Sequence, residues 1–207
     1  LLFLTLPAAA GLIILRVPIV RLLERGAFNA ESTRLTAWAL GFFALGLVGH
    51  AVVEIATRAF YALKNTKTPV AVAVAAMVIN VGLSLILMNL FARLGWPPHA
   101  GLALANSIAV TLEMAALLVL LRPPLGGLAG SGLGRAIGKM SLATTGMVVV
   151  LSGLMPVLPT GNKWLGGIVG ILVGGLVYVG LAYIVRLDEL ETVRRKVMVR
   201  LGKERNG

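Results

Sequence analysis

His50, Glu54 and Arg58 recur every four residues, so a helix through them sets an imidazole, a carboxylate and a guanidinium on one face. A carboxylate between a histidine and an arginine can be held ionised or can relay a proton, and an ion pair of Glu54 with Arg58 would also simply stabilise the helix. Glu113 stands among Leu112, Met114, Ala115 and Ala116 with no basic residue within a helical turn. It must therefore be neutral and hydrogen-bonded across an interface, or coupled to a cation or proton. Asn80 and Ser84, four apart, and the adjacent Asn106 and Ser107 carry oxygens of the kind a small cation takes, and equally the groups that glue packed membrane helices together. Arg16, in an apolar run, can snorkel to a headgroup layer or reach inward to a phosphate. With no cysteine and only two histidines, thiolate and His-rich metal centres are excluded, and no metal or cofactor is expected.

The elements that must position these groups are six stretches of about twenty mostly apolar residues, at 1–23, 35–57, 69–90, 101–121, 137–158 and 164–185. Each is long enough as a helix to cross a hydrocarbon layer of roughly 30 Å, and in lipid a helix satisfies every backbone group within its own segment. Composition agrees: 58% hydrophobic, 13% charged and a mean hydropathy of +0.93 lie outside the range of ordinary soluble domains. The fold class expected is an all-α integral membrane protein with six transmembrane helices. The first residue is not methionine and the first span has no small-residue cleavage site, so that span does not read as a signal peptide and the chain reads as a piece of a longer protein.

A net charge of +11 raises nucleic acid as a partner, but its distribution points to membrane topology. One set of connections carries thirteen basic residues: Arg58, Lys64, Lys67, Arg122, Arg135, Lys139, Arg186, Arg194, Arg195, Lys196, Arg200, Lys203 and Arg205. The other carries five, at Arg21, Arg25, Arg34, Arg93 and Lys163. The positive-inside rule puts the richer set, and the C-terminus with it, in the cytoplasm, so nucleic acid is not needed to explain the basicity. In the segment 186–207, Leu187, Leu190, Val193, Val197 and Leu201 fall at helical spacing opposite the cluster Arg194, Arg195, Lys196 and Arg200, as in a helix lying on anionic lipid.

Pro123, Pro124 and five glycines between Gly126 and Gly134 mark the one compositional boundary. It divides a four-helix part, 1–121, from a two-helix part, 137–185, through a linker at 122–136. Pro7, Gly11 and Pro18 loosen the first span. Gly41, Gly46 and Gly49, and Gly166, Gly167, Gly170, Gly174 and Gly175, permit close backbone approach.

Three ordered runs carry a family resemblance. They are Leu6-Pro7-Ala8-Ala9-Ala10-Gly11-Leu12, then Pro18-Ile19-Val20-Arg21-Leu22-Leu23-Glu24-Arg25-Gly26-Ala27-Phe28, then Arg58-Ala59-Phe60-Tyr61-Ala62-Leu63-Lys64-Asn65-Thr66-Lys67-Thr68-Pro69-Val70. Together with Gly101-Leu102-Ala103-Leu104-Ala105-Asn106-Ser107, they resemble the MurJ/MviN family of lipid II flippases, within the superfamily of multidrug, oligosaccharidyl-lipid and polysaccharide exporters. The family pattern has one more apolar residue between Leu23 and Glu24. The resemblance implies spans nine to fourteen of a fourteen-span flippase: part of the second lobe plus two helices that form a lipid-facing groove, with the first lobe and its cavity arginines lying outside this chain.

What the resemblance implies about function is transport in a bacterial inner membrane, with no bond broken. An undecaprenyl-diphosphate-linked peptidoglycan precursor would pass from the inner to the outer leaflet by alternating access, its lipid tail in the groove. His50, Glu54, Arg58, Glu113 and Arg16 are then candidates for the transport cavity or its gating, and Asn80, Ser84, Asn106 and Ser107 for a cation site. Coupling would be to a monovalent cation or the membrane potential, and the partners are lipid II or a related polyprenyl-linked glycan, membrane lipids and the first lobe. Two other readings stay open. One is a flippase for another polyprenyl-linked oligosaccharide, of O-antigen or exopolysaccharide type. The other is an intramembrane lipid-modifying enzyme using His50 and Glu54 as acid and base.

Overall fold

The computed structural model describes residues 1–26, 28–123, 133–156 and 163–185. Among them are six helices and no strand: α1 Leu2–Arg21, α2 Ala30–Ala62, α3 Lys67–Arg93, α4 Pro98–Leu121, α5 Leu133–Leu154 and α6 Lys163–Ile184. All six are long and apolar enough to cross a membrane. The basic tail, 186–207, lies outside the described residues, as does most of the Pro/Gly-rich linker.

The helix ends follow from local chemistry. Asn29 caps α2, its side-chain oxygen accepting from the backbone N–H groups of Glu31 and Ser32 at 3.1 and 3.0 Å. With 33 residues α2 is about 50 Å long, more than a bilayer's hydrocarbon layer. It therefore continues beyond the expected 35–57 at both ends, and the added turns carry Glu31, Arg34 and Arg58. It stops in a Schellman motif: Asn65 N–H donates to the Phe60 carbonyl at 2.9 Å and Lys64 N–H to that of Tyr61 at 3.0 Å, with Lys64 at φ 57°. The end of α3 repeats the motif with Gly95 at φ 71°, Trp96 N–H donating to Phe91 at 2.8 Å, and the Trp96 ring edge-on to Phe91 at 5.3 Å. Pro98 then opens α4, where a missing N–H costs nothing.

α5 begins at Leu133, so residues 133–136, expected as linker, are helical. It ends at Leu154 rather than 158, because Pro156 disfavours helical backbone at the residue before it.

The helices pack in the order α3, α4, α2, α1, with α5 and α6 packed on each other and both on α1. Glycines set the close contacts. A Cβ on Gly101 would lie 2.8 Å from the Leu87 carbonyl carbon and oxygen, so α4 touches the backbone of α3 there. Gly46 and Gly49 let α2 approach Ser107 and Val110 of α4. At one end Trp38, Phe42, Phe91 and Trp96 join α2, α3 and the loop before α4 through ring contacts of 5.3 to 6.0 Å. The second core, at Leu15, Ala143, Met147, Leu151 and Tyr178, joins α1 to α5 and α6. Thus α1 belongs to both parts of the chain, with one face on α2 and another on the helix pair.

Candidate transport site

The polar groups singled out in the sequence divide among three places. The first is the seam of α2 and α4. Asn106 Nδ2 donates to His50 Nε2 at 3.2 Å, which joins the two helices through exposed His50 and half-buried Asn106. Glu113, seven residues beyond Asn106 and hence on the same face of α4, is half-buried within electrostatic reach of His50. His50, Asn106 and Glu113 thus form one polar line across the seam. Ser107 is buried beneath it and donates to the Phe42 carbonyl at 2.6 Å, while Thr111 Oγ1 donates to the Ser107 carbonyl at 2.7 Å. Glu54 continues the face of His50 toward the end of α2 and pairs with Arg58, both side chains exposed. Among the described residues His50 is hydrogen-bonded to Asn106, and Glu54 to Arg58.

The second place is α3. Ser84 Oγ donates to Asn80 Oδ1 at 3.3 Å, so these two satisfy one another along a single helix. Hydrogen bonds therefore put the four oxygen-bearing residues of the candidate cation site in two sets, Asn80 with Ser84 on α3, and Asn106 and Ser107 with α2. Among the described residues no group of three His, Cys, Asp or Glu could hold a metal ion.

The third place is where α1 meets α2. Arg16 is half-buried and lies across Gly41: a Cβ there would stand 2.8 Å from Arg16 Nη1 and 3.1 Å from its Cδ. Gly41 thus serves α1, although the sequence groups it with Gly46 and Gly49, which serve α4.

One feature was only partly legible in the sequence. An apolar groove of about 480 Å³ runs between α1, α5 and α6. Its walls include Pro7, Gly11 and Leu12 of α1, Met147 of α5, and Gly175 and Tyr178 of α6. The glycines of α6 signalled a close-packed or groove-forming helix, but the α1 wall could not be foreseen without knowing that α5 and α6 pack there. Not all the glycines keep it open. Gly170 and Gly174 pack against Leu15 and Leu151, whereas Gly11 and Gly175 have no other atom within 4 Å of an added Cβ. Tyr178 Oη donates to the Phe3 carbonyl at 2.7 Å and its ring meets that of Phe3 at 5.3 Å, which ties α6 to the start of α1.

The described residues thus present a polar seam and a separate apolar slot. The family model described as lipid II flippase MurJ matches residues 1–172. A probable lipid II flippase MurJ of Bdellovibrio bacteriovorus is 32% identical over 198 residues, which cover 94% of this chain and 37% of that protein. One of Rhizobium tropici is 33% identical over 214 residues, covering 95% of this chain and 37% of the relative. A solved lipid II flippase MurJ in an inward closed conformation superposes with a TM-score of 0.73 at 31% identity, over 91% of this chain and 37% of that one. The chain thus spans somewhat more than a third of the length of these relatives. Sequence and fold agree along nearly all of it, and the chain belongs to the lipid II flippase MurJ family.

Proposed function

We propose that this chain is the C-terminal portion of a lipid II flippase, which moves an undecaprenyl-diphosphate-linked peptidoglycan precursor from the inner to the outer leaflet by alternating access. The observation that carries the reading is the apolar groove of α1, α5 and α6 in a chain that matches the family over nearly its whole length. A polyprenyl chain packs favourably against such apolar walls, while its diphosphate and sugars need a polar route. The thirteen-to-five distribution of basic residues supports a cytoplasmic C-terminus, with α1 running outward.

In this reading the seam of α2 and α4 is a gating element. His50 accepts from Asn106 and senses the charge of Glu113, so a change of charge at either residue alters the contact between the two helices. Glu54 and Arg58 anchor the same face near the inner interface. Coupling to a monovalent cation would draw on Asn80 and Ser84 of α3 or on Asn106 and Ser107 of α4. Membrane potential is the other source of drive.

The test uses the full-length protein encoded with this chain, in cells depleted of their own lipid II flippase. Wild-type protein restores growth, and Glu113→Ala and His50→Ala restore it less well at equal membrane abundance. Normal insertion without any rescue by the wild type would reject lipid II as the substrate.

A further inference from the structure

α1 and α6 touch on either side of the apolar groove. At the start of α1, Tyr178 Oη donates to the Phe3 carbonyl at 2.7 Å, and the two rings meet at 5.3 Å. Further along, a Cβ on Gly170 would stand 2.6 Å from Leu15. Between these contacts Gly11 of α1 and Gly175 of α6 line the groove and have no other atom within 4 Å of an added Cβ. Pro7 lies in the same stretch, and Phe3, Pro7 and Tyr178 all belong to the groove wall. In an α-helix the Phe3 carbonyl would accept from the amide of residue 7. Pro7 has no N–H, so the helix supplies no such donor, and a backbone carbonyl left unmet in an apolar layer is costly. Tyr178, 175 residues away in the chain, fills the place of the missing amide. Its side chain is buried in the core of Leu15, Ala143, Met147 and Leu151, which keeps water from competing for the bond.

We infer that Tyr178 is a positioning residue of the groove: its hydroxyl stands in for the amide that Pro7 lacks, and so clasps the first turn of α1 to α6 at one end of the slot. Each half of the pair needs the other. Pro7 without Tyr178 leaves an unmet carbonyl and a loose first turn, and Tyr178 without Pro7 competes with an ordinary helix bond. Leu2, Phe3 and Leu6 pack beside Met140 of α5 and Ala182 of α6, so the first turn is already seated there and the hydroxyl fixes its position. With one end of the α1 wall held in this way, the spacing of the slot is set by two residues on different helices. The clasp itself is independent of what the groove holds, and only its effect on a bound lipid chain rests on the proposed function.

The experiment compares the purified full-length protein with its Tyr178→Phe, Pro7→Ala and double variants. It reads hydrogen exchange at the amides of Leu4, Thr5 and Leu6, and the binding of undecaprenol by native mass spectrometry. Tyr178→Phe keeps the ring against Phe3 and loses only the donor. Exchange at the three amides then rises about tenfold, and undecaprenol binds about threefold or more weakly. In the Pro7→Ala background the helix supplies the amide, so adding Tyr178→Phe changes either reading by less than about twofold. A ring that merely packs would show no such dependence on residue 7. Equal effects of Tyr178→Phe in the two backgrounds would overturn the clasp, and so would unchanged exchange in Tyr178→Phe alone. Raised exchange with unchanged undecaprenol affinity would overturn its hold on the slot. Wild-type protein that binds no undecaprenol would instead tell against the groove's occupant in the proposed function, and hydrogen exchange would still decide the clasp.

Discussion

Individual side chains separate into those that hold helices together and those free to act. Ser107 belongs to the first kind: its buried hydroxyl donates to a backbone carbonyl of α2, so Ser107→Ala should cost about 1 kcal/mol, read as a lower unfolding temperature. The Glu54–Arg58 pair is exposed, and Arg58→Ala should change stability by no more than about 0.5 kcal/mol. A loss of transport in that variant at unchanged stability would assign the pair to function. The periodicity of His50, Glu54 and Arg58 was legible from their spacing, because an i,i+4 relation survives in any helix. That His50 turns to Asn106 of α4 rather than to Glu54 was not, because a hydrogen bond across 56 residues depends on which helices become neighbours.

At the scale of helices, hydropathy located all six, and end signals corrected their limits. Pro156 carried the stop of α5 in plain view, but an apolar window that continues past it hides the signal. Glycines were legible as points of close approach and illegible as to partner: Gly41 serves Arg16 of α1, while Gly46, one turn later, serves α4. Their consequences for packing are specific. Gly101→Ala would force a methyl within 2.8 Å of the Leu87 backbone, which cannot move aside as a side chain can. It should destabilise the α3–α4 pair by about 1–3 kcal/mol, measured as lost thermal stability in detergent. Gly82 has open space around an added Cβ, so Gly82→Ala in the neighbouring α3 should be neutral or slightly stabilising, and a comparable loss there would show that the packing argument is wrong.

For the molecule as a whole, the structure makes α1 the link between the α2–α4 seam and the groove, a role that no single span reveals. Its Pro7 and Pro18 lie in the stretch that contacts both, so a bend in α1 would move the groove wall relative to the seam. The groove also permits a substitution that blocks without unfolding. At Gly175 an added side chain projects into open space, whereas at Gly170 it meets Leu15 at 2.6 Å. Gly175→Leu should therefore preserve membrane abundance and thermal stability while occupying the slot, and Gly170→Leu should lower both. The most direct test of lipid II transport is the accessibility of lipid II to an externally added lipid II-cleaving protein, in cells whose own flippase is depleted and replaced by the full-length protein. The wild type should restore external cleavage, and Gly175→Leu, at equal abundance, should reduce it by about tenfold or more. Wild-type protein inserted at normal levels that leaves lipid II protected inside, or Gly175→Leu that exports it at the wild-type rate, would contradict lipid II transport along the groove.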